Sequence, residues 1–238
     1  MGPTAEITPE EAERAIYIDF EGRRDREPVL LGVLYAEGRR RIDHSRLVLR
    51  HDLVDRRYRP LLRAFSELGE PSVHRYDTDQ RSLDRSIEGI LQRAEHQDRL
   101  IVAWSQHELD VVWSACRNAD FVEAFGARFR DGKATAKRWL RETSPDSWPQ
   151  REPVGGAHKL AYYCRLVGFD VPAEFGPGVV GTGLKIIDQA LDTGRSWAGF
   201  TDRQREAWRR VLGHNLFDCL GLRAVVTAAT SRRSLCDY

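Results

Sequence analysis

Two apolar runs separated by polar residues stand near the start of the chain. Ala15 to Phe20 (AIYIDF) and Pro28 to Tyr35 (PVLLGVLY) are rich in β-branched and aromatic residues and flank a polar connection, the pattern of a β-hairpin. A third strand is predicted from Arg41 to Leu49 (RIDHSRLVL), after the turn at Gly38, completing an antiparallel meander. The period then changes. Leu83, Ile87, Ile90, Leu91 and Ala94 recur at helical spacing behind Ser82, a suitable N-cap, and predict a helix to about Gln97. Arg99 to Trp104 (RLIVAW) is a continuous apolar run of buried-strand length, and the helix-forming ELDVVWSACRNA follows it with no turn residue between.

The C-terminal part reads as largely helical. Residues 157–166 predict a helix stopped by Gly168, and residues 184–191 another stopped near Gly194. The glycine- and proline-rich FDVPAEFGPGVVGTG between them predicts a loop. Thr201 to Thr230 opens on a good N-cap and carries Leu212, Leu216, Leu220, Ala224 and Val225 as one apolar stripe, on one helix or two. Three strands, then helix, strand and helix predict an α/β fold: a mixed sheet, antiparallel first and parallel after, with helices on its faces. One domain over residues 1–238 is expected, with 1–14 and 231–238 as flexible ends.

Composition narrows the function classes. The chain has 238 residues, of which 41% are hydrophobic, enough for a substantial core, and its net charge of +1 excludes a polybasic coat or an acidic solvating tail. Its four cysteines (116, 164, 219, 236) form no CxxC pair, which disfavours a disulfide framework or thiolate zinc site and fits a reducing cytoplasm. No uncharged apolar stretch approaches the ~18 residues of a membrane span, and MGPTAEITPEEAER lacks an export signal, so a cytoplasmic protein free of the membrane is expected. Only four of the 37 basic residues are lysines. The arginines are spread over the whole chain and mark no single binding face.

The chemistry is sought in carboxylates set among apolar residues. Asp19 and Glu21, two apart at the end of the first strand, project to one face, and their mutual repulsion is tolerated only beside a cation or in solvent. Trp104-Ser-Gln-His-Glu108-Leu-Asp110 sets two acids at a strand-to-helix junction, where ligands of α/β sheets bind but where acids also complement the helix dipole. His214 and Asp218, four apart in HNLFDC, share a helical face flanked by apolar residues, as an ion pair or as part of a site.

Together these motifs resemble a known family. YIDFEG, IVAWSQHE and HNLFDC are similar, in order and placement, to the three motifs of the DEDD-type 3′-to-5′ exonucleases of the ribonuclease-H-like superfamily. The nearest resemblance is to the RecB-like group, whose middle motif ends in Glu and whose last reads Tyr-Asn-x-x-Asp-Cys. The helix KLAYYCRLVGF also resembles the segment preceding that last motif, and the likeness spans about residues 15 to 230. It implies a ribonuclease-H-like fold and a phosphodiester hydrolase in which Asp19, Glu21, Glu108 and Asp218 bind two divalent ions, Mg²⁺ or Mn²⁺. It further implies that His214 orients or deprotonates the attacking water. His214 departs from the family pattern, which has Tyr there or His five residues before the Asp. Glu108 and Asp110 both offer the middle carboxylate, and the likeness of WSQHE selects Glu108.

The expected substrate is a single-stranded DNA or RNA end, with a nucleotide as product and a helicase or nuclease as further partner. Arg23, Arg24 and Arg26, with Lys133, Lys137, Arg138 and Arg141, are candidate phosphate contacts, and Trp104, Trp139 and Trp148 candidate stacking residues. A non-catalytic module of the same fold is the alternative. A nucleotide hydrolase on a phosphate-loop fold is disfavoured, since GPGVVGTG does not match GxxxxGK[ST].

Overall fold

Alternation along the first strand decides how the sheet is clothed. The computed structural model describes residues 6–22, 28–37, 41–49, 75–148, 158–195 and 197–231. Strand β1 (Ile16–Glu21) turns Ile16 and Ile18 to one face and Tyr17 to the other, and both faces are buried. Strands β2 (Leu30–Glu37) and β3 (Arg41–Val48) continue from it as the expected antiparallel meander, with Asp19 opposite Gly32 in the β1–β2 register. Strand β4 (Arg75–Gln80) then adds parallel to the outer edge of β3.

Helix α2 (Leu83–His96) is capped by Ser82 as expected and leads to β5 (Ile101–Ala103), which lies parallel to β1 on the side away from β2. Helices α3 (Gln106–Ala115) and α4 (Ala119–Arg128) precede β6 (Phe129–Asp131), parallel to β5. The result is a six-stranded mixed sheet in the order β4-β3-β2-β1-β5-β6. One face is covered by α2, α3 and α4, whose Ile87, Ile90, Leu109, Val112 and Phe125 pack on Ile16, Ile18, Leu31 and Val33.

The other face belongs to the C-terminal helices: α5 (Gly132–Thr143), α6 (Leu160–Leu166), α7 (Val179–Asp192) and α8 (Asp202–Thr230). Helix α8 runs unbroken for 29 residues, which settles the choice between one helix and two. Its Leu216, Cys219 and Leu220 meet Tyr17 and Leu34 at the middle of the sheet. Its first half packs on α7 through Trp208, Val211 and Leu212, and its second half on α5 and α6 through Val225 and Ala228. Among the described residues no helix is long and apolar enough to cross a membrane.

Two expectations are corrected. The expected flexible end 1–14 contains a helix, α1 (Pro9–Arg14), held by a Thr8–Glu11 capping box and burying Ala12. The expected loop ends earlier than its glycines suggest. Gly178 turns the chain at φ 89°, but Gly181 and Gly183 lie inside α7, where a Cβ on Gly183 would stand 2.7 Å from Val211. Strands β4 and β6 and helices α4 and α5 have no counterpart in the reading of the sequence.

Candidate active site

The period of two that buries Tyr17 against α8 sends Asp19 and Glu21 to the same face, and α8 brings Asp218 over them. Glu108 arrives from the first turn of α3, at the C-terminal end of β5 beside β1. It is buried, and its Oε2 accepts hydrogen bonds from the Ser105 backbone N–H and Oγ, both at 3.1 Å. Asp110 is exposed on the same helix. Four carboxylates from three elements thus face one another, and among the described residues no lysine or arginine pairs with any of them.

Their proton affinities record that crowding. Burial, then the charges of Asp218 and Glu108, push the Asp19 carboxyl well above the usual carboxylate range. Glu21 is raised by burial and by the charges of Asp19 and Asp218, and it stands within hydrogen-bond reach of Asp19, a contact two carboxylates make only with a proton or a cation between them. Burial and Glu108 push Asp218 up to about 7, and burial raises Glu108. Oε1 of Glu21 is buried with no hydrogen-bond partner. The donor set is therefore chemically suited to hard divalent cations, which take carboxylate oxygens. The side chains do not close around one point: among the described residues no three His, Cys, Asp or Glu are grouped as metal ligands.

Two further residues of α8 shape this ground. His214 Nδ1 lies 2.6 Å from the Phe175 carbonyl, which can only accept, so Nδ1 carries a proton and Nε2 faces Asp218 Oδ2 at 3.3 Å. Asn215, fully buried, donates from Nδ2 to the Asp19 backbone carbonyl (3.0 Å) and to Asp19 Oδ2 (2.9 Å), fixing that carboxylate from behind. Its room comes from Gly32, directly across the ladder from Asp19: a Cβ there would stand 2.1 Å from Asn215 Oδ1. Gly213 gives the same allowance to the Phe175 ring, at 2.2 Å. Asn215 stood inside the quoted HNLFDC without a role, and only the strand register exposes the need for Gly32.

A cavity of about 560 Å³ opens beside the acids, with His214 and Asp218 in its wall. Parallel pairing of β6 with β5 sets Lys133 at the start of α5, next to Trp104, and Lys137 follows one helical turn later. Both lysines, Trp104, His158 and Lys159 line the cavity together with apolar Leu160, Val171 and Phe175. The other candidate contacts fall elsewhere. Arg138 pairs with Glu6 at 3.1 Å, Arg141 lies over the Trp148 ring, and Trp139 is core. Arg23, Arg24 and Arg26 lie outside the described residues. Cys116, Cys164 and Cys219 are free thiols, and Cys236 also lies outside the described residues.

Comparisons with known protein families, with curated proteins and with solved structures find no match for this chain.

Proposed function

We propose that this protein is a metal-dependent 3′-to-5′ exonuclease with a ribonuclease-H-like fold. The observation that carries the reading is the set of four carboxylates, Asp19, Glu21, Glu108 and Asp218, brought together with no lysine or arginine partner among the described residues and with Glu21 Oε1 buried without a hydrogen-bond partner among them. Such a group is held together by cations or by protons, and phosphodiester hydrolysis at neutral pH is the chemistry that needs the former. The sheet supports it: an acid pair on a central strand, an antiparallel meander to one side and parallel strands to the other agree with a ribonuclease-H-like arrangement.

Asp19, Glu21, Glu108 and Asp218 would hold two ions, Mg²⁺ or Mn²⁺, which when bound supply charge stabilisation and acidify water. The chain's own residues do the rest. Asn215 keeps Asp19 aimed, and the Ser105 cap holds Glu108. The His214 tautomer, fixed by the Phe175 carbonyl, leaves Nε2 to take a proton from the attacking water. The water oxygen forms a bond to phosphorus and the bond to the 3′-oxygen breaks. A nucleoside 5′-monophosphate leaves, and the shortened strand ends in a free 3′-hydroxyl.

A second reading, a non-catalytic module of the same fold that binds nucleic acid or a helicase or nuclease partner, draws on the open arrangement of the four acids among the described residues. Incubation with end-labelled single-stranded DNA and RNA in Mg²⁺, Mn²⁺ or EDTA separates the two. The exonuclease gives a ladder from the 3′ end with metal only, lost in Asp19→Asn and Asp218→Asn. Intact substrate in every condition leaves the non-catalytic module.

A further inference from the structure

Lysine is scarce in this chain and unevenly placed. Of its four lysines, three (Lys133, Lys137 and Lys159) line the cavity beside the acids, and no described arginine does. Lys133 and Lys137 stand four apart on α5 and face the same space, a like-charge pairing that disfavours the helix on its own. Both are half-buried, and none of the three forms an ion pair with a described residue. Asp131, the N-cap of α5, is the charge that acts on Lys133 and Lys137 from behind. Three ammonium groups gathered in one concave site, balanced only in part by Asp131 and by Asp218 in the same wall, favour an anion. A lysine ammonium binds phosphate as a compact point charge on a flexible stem.

The same cavity is lined by apolar Leu160, Val171 and Phe175 and by Trp104, so it offers apolar surface as well as charge. Trp104 is held by its Nε1–H to the His158 carbonyl (3.3 Å) and by edge packing on Tyr163. Its volume falls within the range that encloses a small organic ligand.

We propose that this cavity is a nucleotide site: Lys133, Lys137 and Lys159 take the phosphate of a nucleoside monophosphate unit, and its base lies against Leu160, Val171 and Trp104. The assignment deepens the exonuclease reading by naming where a nucleotide unit sits, but the binding itself draws on no metal. Occupancy by the released monophosphate makes the product an inhibitor.

Calorimetric titration in EDTA tests it with adenosine 5′-monophosphate, adenosine, ribose 5-phosphate and inorganic phosphate. The monophosphate is expected to bind at least about tenfold more tightly than the other three. Lys133→Gln and Lys137→Gln should each weaken it about tenfold, while Lys185→Gln, on the exposed side of α7, leaves it within about twofold. Melting curves of each variant establish that it is folded, and Lys159→Gln, at an exposed position, serves if either α5 variant is not. Absence of binding at millimolar monophosphate, binding indifferent to the lysines, or equal binding of inorganic phosphate overturns the proposal. Monophosphate binding without any strand cleavage in Mg²⁺ or Mn²⁺ upholds the cavity and removes the exonuclease, and cleavage without monophosphate binding does the reverse.

Discussion

Burial separates the two candidates for the middle acid. Both Glu108 and Asp110 offer a carboxylate in the sequence, where the likeness of WSQHE selects Glu108, and α3 buries Glu108 and leaves Asp110 in solvent. Glu108→Gln is therefore expected to abolish cleavage, whereas Asp110→Asn keeps at least about a tenth of the wild-type rate, a loss of no more than ~1.4 kcal/mol in barrier. End-label assays of the two variants check it, and the reverse ranking would move the assignment. His214 calls for a different readout. A proton acceptor contributes roughly 10²- to 10⁴-fold, and losing it leaves the four acids in place. His214→Ala should lose rate in that range yet keep the rise in melting temperature that Mg²⁺ gives the wild type. Undiminished cleavage would reduce His214 to a packing residue against Phe175.

At the scale of elements, the contact between β2 and α8 controls how Asp19 is presented. Gly32→Ala drives a methyl into the Asn215 amide, an overpacking that costs about 1–3 kcal/mol and pushes Asn215 off Asp19. Asn215→Ala removes the obstruction, so the double variant should recover most of the stability of Gly32→Ala in urea unfolding but none of its lost activity. Additive losses would place the two residues in separate roles. The same contact shows why some elements were legible in the sequence and others were not. The runs forming β1, β2 and β5 and the periodicity of α2 declare themselves because each buries a whole face or stripe. β6 has three residues, of which only Phe129 is buried, and β4 reads RYDTDQ, with no apolar alternation at all. Gly183 carries a loop signal in the sequence, whereas inside α7 it lets α8 approach. The acids and His214 were legible as motifs. Asn215's function was not, because it depends on a glycine 183 positions away that only strand pairing brings opposite.

For the molecule as a whole, the raised carboxyls make stability depend on pH in an unusual direction. Asp218 titrates near 3.8 when unfolded and is pushed up to about 7 when folded, and Asp19, Glu21 and Glu108 move the same way. Between those limits the folded state holds more protons than the unfolded one, so stability falls as pH rises. Glu206, lowered to about 2 by its hydrogen bonds to Arg209 and Arg210, has the opposite sign, but its window lies below about pH 4.5. The metal-free protein is accordingly expected to melt at a higher temperature at pH 5 than at pH 8. Divalent cation should raise the melting point most at pH 8, by roughly 5–10 °C at a hundredfold excess over its dissociation constant. Scanning calorimetry in EDTA and in Mg²⁺ at the two pH values measures both effects, and a metal-free protein more stable at pH 8 would mean the acids are not buried together.

The scarcity of lysine has a practical side. Amine-directed reagents find only four ε-amino groups here besides the chain's α-amino group, and three of them open into one cavity. Acylation, reductive alkylation or coupling to an activated surface will therefore act on the place where a nucleotide is proposed to sit, alongside exposed Lys185 and the α-amino group. Immobilisation for a binding measurement is better done through a thiol or an added tag, and the same reagents offer a simple footprint, since a bound ligand should slow labelling at Lys133 and Lys137 and leave Lys185 unchanged.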